Sequence, residues 1–431
     1  MMQLNLRDIL ALGFMTFALF IGAGNIIFPP IVAQQAGEHV WLASLGFLIT
    51  AVGLPVLTII ALARVGGSIE ALSSPLGKIA SLILTITCYL AVGPLFATPR
   101  TATVSYAIGI EPHFGHGVLP TLIYSAIYFT IVAIVSLYPH KILDTIGYIL
   151  APLKLVALSI LCISTLFISL HFFAAPTGHY IDRPISEGLV NGYLTMDTLG
   201  ALVFGIVIVQ AVQSRGVTSS KLIFKYTFIA SIIAGIGLTA LYLCLFRLGV
   251  QSYPLTPNAT NGAVILNAYV QHAFGSSGTI FLTALIILAC VVTAIGLTCS
   301  CASYFHQLTK ISYKTLVIIL VVFAFMISNL GLDKLIAFSV PVLSAIYPPA
   351  IVVIILSFFT GLFSNSQRIF VPVTAVAFIF GIIEGIKASR FQSLVPEILQ
   401  KLPLSEQNLA WLIPCVFVFV IALVLNKVKA S

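Results

Sequence analysis

Arg100, Lys154 and Asp197 each stand inside a long apolar stretch, apart from the loops where most other charged residues gather. A charge held away from water is costly enough to imply a task on an ion or solute pathway. Two clusters of helix-loosening residues interrupt further apolar stretches: Gly22-Ala23-Gly24-Asn25, with Pro29-Pro30 one turn on, and Thr195, Asp197, Thr198, Gly200 and Gly205. If a helix unwinds at such a point, its second half presents free N–H groups and a positive dipole end to an anion such as a carboxylate. Carbonyls freed at the same place can hold a cation. Covalent chemistry has no comparable foothold. His39, His113, His116, His140, His171, His179 and His272 lie in or beside expected loops, and His306 lies at a helix end. That placement argues against haem ligation and against a membrane metalloprotease, and no cofactor is expected. The seven cysteines fall in hydrophobic runs, and Cys299-Ser300-Cys301 lacks the two-residue gap of a redox or zinc pair.

The elements that carry these residues must lie in lipid. Of 431 residues, 60% are hydrophobic and 7% charged, against about 25% charged in an average soluble domain. The mean hydropathy is +1.14, and a lipid-spanning helix takes about 20 mostly apolar residues. The net charge of +8 is scattered in ones to threes, so no nucleic-acid surface is expected. Only Arg7 precedes the first apolar run, which ends in Phe28-Pro29-Pro30 without a small-residue cleavage site. It is expected to remain as the first span.

Cutting the sequence at charges and Gly/Pro clusters yields about twelve spans, near 9–34, 40–64, 78–108, 118–138, 145–171, 190–214, 221–248, 277–306, 314–330, 335–362, 369–388 and 408–427. With the N-terminus inside, cytoplasmic segments collect Arg7, Arg64, Lys78, Lys141, Arg215, Lys221, Lys225, Lys310, Lys314, Arg368, Lys427 and Lys429. Outer segments hold Arg183, Arg247, Lys334, Lys387, Arg390 and Lys401. This bias places both termini in the cytoplasm. The outer connection 172–189 reads as a solvated loop. The connection 250–276 reads as a turn-rich stretch followed by a short amphipathic helix over the entrance.

Gly22 and Gly24 alone have two readings, close helix packing or an unwound segment. The matching interruption comes five spans later, in a helix of opposite direction, as in an inverted repeat. The expected architecture is therefore an all-α integral membrane protein forming one transport domain over 1–431. Repeat one covers about 9–171, repeat two about 190–362, and two peripheral helices follow over about 369–427.

Five motifs sharpen this reading. Asp8 to Phe17 leads into Ile21-Gly22-Ala23-Gly24-Asn25-Ile26-Ile27-Phe28-Pro29-Pro30. Gly93-Pro94-Leu95-Phe96-Ala97-Thr98-Pro99-Arg100-Thr101, Tyr193 to Gly200, and Pro341-Val342-Leu343 to Tyr347-Pro348-Pro349 follow in order. Together they closely resemble the bacterial branched-chain amino acid carriers of the BrnQ type, over essentially the whole chain. The resemblance implies import of leucine, isoleucine and valine across the bacterial cytoplasmic membrane, driven by a cation gradient, usually sodium. It also implies the LeuT architecture, with a monomer sufficient for transport. One residue departs from the family pattern: Ala107 follows Tyr106 where a glutamate is expected, which bears on the coupling ion more than on the substrate.

For the substrate carboxylate, the backbone of Gly22, Ala23 and Gly24 is the expected cradle. The ammonium is expected on carbonyls near Phe20 and from Ala201 to Phe204. Phe20, Leu202, Phe204 and Tyr106 are the expected walls for an aliphatic side chain. A LeuT-like sodium site would combine carbonyls near Phe20 and Gly22 with hydroxyls of Thr293, Thr298 and Ser300, while Asn25 would serve a second ion or lock the unwound turn. Asp197 is read as an ion ligand, proton carrier or gate, against an ordinary N-terminal residue at the outer rim. Lys154, about nine residues from Asp144 and so about 13 Å deep, either snorkels to the cytoplasm or occupies the sodium position, making the proton the coupling ion. Arg100 is a gate residue or an interfacial anchor. A channel would need a continuous polar pore, which the sequence does not display. A carrier for another neutral amino acid is the nearest rival.

Overall fold

The computed structural model describes residues 4–115, 117–138, 151–167 and 174–428. The ends of the fifth span expected at 145–150 and 168–171, with Lys141, Asp144, His116, His140, His171 and Lys429, lie outside the described residues. Within them the regular structure is helical. The first span is two helices, α1 (Leu6–Phe20) and α2 (Ala23–Ala36). α3 (40–64) and α4 (Lys78–Gly109) follow, each with an internal π turn. Next come α5 (Val118–Ser136) and α6 (Ala151–Phe167). The sixth span is again double, α7 (Pro184–Tyr193) and α8 (Asp197–Gln213), bent by 42° at the break. α9 (Ser220–Gln251), α10 (Gly262–Leu308), α11 (Tyr313–Ser328), α12 (Leu332–Ser357), α13 (Gln367–Lys387) and α14 (Leu412–Val428) complete the chain. About twelve spans result, as the hydropathy pattern predicts.

α10 joins two expected elements into one. Its first part, expected as a separate outer helix, meets the eighth span at Gly275, whose φ of +64° is the left-handed region glycine tolerates. The outer loop is shorter than expected, because helix resumes at Pro184. Asp197 consequently follows a ten-residue helix and a break rather than lying near a rim.

Small residues bring the interior helices into backbone contact. A Cβ built on Gly188 or Gly192 of α7 would overlap Ala43 O or Thr50 Oγ1 of α3, and one on Gly46 would overlap Ile185 O. Gly188 and Gly192 thus form a small-xxx-small face. Thr50 Oγ1, donating to Leu189 O at 2.8 Å, fastens the same contact. Gly188→Leu is therefore expected to cost about 1–3 kcal/mol by overpacking against backbone that cannot yield, read as a lowered melting temperature of the detergent-solubilised protein. α13 uses the same device, with Gly381 and Gly385 against Ala345 and Pro341 of α12, which attaches the late helices to the tenth span.

Candidate functional site

The first span breaks because Ile21 (φ −69°, ψ 97°) and Gly22 (φ −111°, ψ −172°) are extended between two helices. The unwound segment is shorter and earlier than Gly22 to Asn25: Ala23, Gly24 and Asn25 already form the first turn of α2. Their N–H groups stand where a helix leaves its donors without intrahelical partners. Asn25 locks this corner, its Oδ1 accepting from Gly22 N at 2.8 Å.

The sixth span breaks at Leu194–Met196, where Met196 adopts a left-handed φ of +64°. Asp197, Thr198, Gly200 and Gly205 all lie within regular α8. The two breaks touch. A Cβ on Gly24 would sit 3.3 Å from Leu194 O and from Thr195 Cα and O, so the first turn of α2 abuts the backbone of the α7–α8 corner and even a methyl group there would press on it.

Asp197, at the first position of α8, joins three helices. Asn25 Nδ2 donates to its two carboxylate oxygens at 2.8 and 2.7 Å, and the Tyr242 hydroxyl of α9 donates to Oδ2 at 2.5 Å. All three residues are buried. Arg100, in the second part of α4, is buried too. Its guanidinium donates to Leu194 O at 2.5 Å and to Ser339 Oγ of α12 at 2.8 Å, and lies 5.2 Å from the Phe28 ring centre of α2. Just before it, Gly93 leaves helical geometry in the π turn that contains Pro94. Such a turn frees backbone groups and recurs at functional sites.

A cavity of about 50 Å³ lies between these elements, lined among others by Phe20, Gly22, Ala23, Gly24, Asn25, Arg100, Thr101, Thr195, Asp197, Gly200, Phe204 and Thr293. Nine of the residues singled out from sequence for binding, ions or gating thus meet there. Tyr106 does not: its hydroxyl donates to Gly115 O near the end of α4. Ala201 and Leu202 lie inside α8, where carbonyls are taken up by the helix's own ladder. Thr293 and Ser300 donate to their own helix, at Ala289 O (3.0 Å) and Gly296 O (2.8 Å). Thr298 is buried on the same helix, away from the cavity lining. Lys154 is buried and does not extend to an exposed position. Its ammonium donates to Ile21 O at the first break and lies 3.5 Å from Ala18 O.

Tyr242, Ser339 and Met196 escaped the sequence reading. A tyrosine in an apolar helix signals a hydroxyl in need of a partner, which could have marked Tyr242. The other two carry no such signal.

Two broken spans facing one cavity are an arrangement that secondary transporters use, and solved structures bear out the fold. The chain resembles Mhp1, a nucleobase-cation-symport-1 family transporter, in its closed, bromovinylhydantoin-bound conformation: TM-score 0.61 at 14% identity, covering 96% of this chain and 90% of that one. The inward-facing conformation of Mhp1 matches equally, at TM-score 0.61. Residues 5–429 match the family described as branched-chain amino acid transport protein, and this chain belongs to that family. Among its relatives are the branched-chain amino acid permease BrnQ of Escherichia coli strain K12, 57% identical over 99% of this chain and 97% of that protein. The branched-chain amino acid transport system 3 carrier protein of Pseudomonas aeruginosa is 57% identical over 95% of this chain and 94% of the relative. The permease BraB of Bacillus subtilis is 42% identical over 98% and 96%.

Proposed function

We propose that this chain imports leucine, isoleucine and valine across the bacterial cytoplasmic membrane by cation symport with alternating access, both termini lying inside. The observation that carries this is the meeting of the two broken spans at one cavity, in a chain whose relatives are named for branched-chain amino acids. The first turn of α2 supplies N–H donors for a carboxylate. Phe20 and Phe204 give the cavity apolar wall suited to an aliphatic side chain. Asp197 is proposed to take part in coupling or gating, because it holds the two breaks together through Asn25.

Sodium is the proposed coupling ion, with oxygens drawn from the first break and from Thr293, whose methyl group lies beside Gly22 and whose hydroxyl would have to turn from Ala289 O to the ion. A second reading, coupling to the proton, is favoured by one observation: the Lys154 ammonium already engages the Ile21 carbonyl at that break. Uptake of radiolabelled leucine, isoleucine and valine into proteoliposomes, with sodium and proton gradients imposed separately, tests both. Accumulation of all three under a sodium gradient is expected. If none accumulates under either gradient, the proposal fails.

Lys154→Ala in the same assay is expected to keep the sodium dependence and lower uptake about 10- to 100-fold, the range of a hydrogen bond to a charged group. Loss of proton-driven accumulation with intact leucine exchange would instead establish the second reading.

A further inference from the structure

Arg100 is a buried cation without an anion. Only 2% of it is exposed, and it makes no ion pair among the described residues. Its terminal nitrogens rest on neutral acceptors, Leu194 O and Ser339 Oγ, while Nε has no hydrogen-bond partner. The buried acid of the same cavity, Asp197, is held by Asn25 and Tyr242 instead. A guanidinium removed from water without a counter-charge is costly, and evolution has cheaper ways to bridge a carbonyl and a serine. The cost is recovered if an anion enters the cavity during the working cycle. A planar fork of donors matches a carboxylate bidentately, and the N–H groups opening α2 line the same space.

We propose that Arg100 binds the α-carboxylate of the transported amino acid, jointly with the start of α2, and so selects substrates that carry that carboxylate. This rests on the carrier reading above. Its carbonyl bond to Leu194 and its hydroxyl bond to Ser339 tie the α7–α8 corner to α12, so ligand capture and closure of that corner are linked through one side chain.

The test compares leucine with leucinamide, which keeps the ammonium and side chain but replaces the carboxylate by a neutral amide. Each competes for radiolabelled leucine on the purified full-length protein, or shifts its melting temperature where tracer binding is weak. The wild type is expected to prefer leucine by about 10- to 100-fold. In Arg100→Gln that preference should collapse to within a few-fold, because leucine loses a contact that leucinamide never had. Arg100→Lys, which keeps a point charge but not the fork, should fall between, and supplies the answer if the glutamine variant does not fold. Ser339→Ala, which removes only the contact to α12, should leave the preference unchanged. An Arg100 variant that weakens both ligands equally would reduce the residue to a latch and overturn the inference. A wild type that binds no branched-chain amino acid would instead remove the carrier reading, and the inference with it.

Discussion

Asp197→Ala is expected to reduce leucine uptake more than about 100-fold while leaving the protein folded. The carboxylate accepts from Asn25 on both oxygens and from Tyr242 on one, so its loss strips two buried donors of their charged acceptor. Each such loss costs about 1–3 kcal/mol. Asn25 keeps two partners, since its Oδ1 still accepts from Gly22 N and its Nδ2 still reaches the Tyr242 hydroxyl. The first break should therefore survive, and the lost energy should appear as a loosened tie between the α1–α2 and α7–α8 corners. Asp197→Asn separates shape from charge. Its side chain offers one acceptor oxygen instead of two and carries no charge, so uptake at least 10-fold below wild type is expected from a protein that remains folded. Wild-type uptake by Asp197→Asn would mean that the acid serves only as a shape.

The spans were legible because hydropathy and length are local properties of the chain. That the first and sixth spans break was legible too, from Gly22 and Gly24 and from the polar run 195–200. The exact corners were not. Only Ile21 and Gly22 are extended in the first break, and the residues after them are free to start a helix. In the sixth span the left-handed residue is Met196, a poor choice on intrinsic grounds. Its corner is held by distant partners: Arg100 on Leu194 O and the backbone packed against Gly24. That Lys154 stands in an apolar span was plain from the sequence, whereas its attachment to Ile21 depends on how α6 lies against the first span. Tyr242 and Ser339 stand 45 and 239 residues along the chain from the partners they hold, a relation no local pattern carries.

The second large effect is expected at Gly200. It lines the cavity, and a Cβ built there would meet only the Phe204 ring, at 4.0 Å. The position is inside α8, where exchanging glycine for a better helix former favours the helix. A leucine side chain at this point projects into open space instead of into neighbouring backbone, so it fills the site without dismantling the fold. This contrasts with Gly24, whose surroundings are backbone on three counts.

Equilibrium binding of radiolabelled leucine to purified wild-type and Gly200→Leu proteins, with melting temperatures measured alongside, therefore tests most directly that the substrate sits between the two breaks. Saturable binding by the wild type and none by Gly200→Leu, at an equal or higher melting temperature, is the predicted result. Unchanged leucine binding by a folded Gly200→Leu protein would contradict it and place the substrate elsewhere.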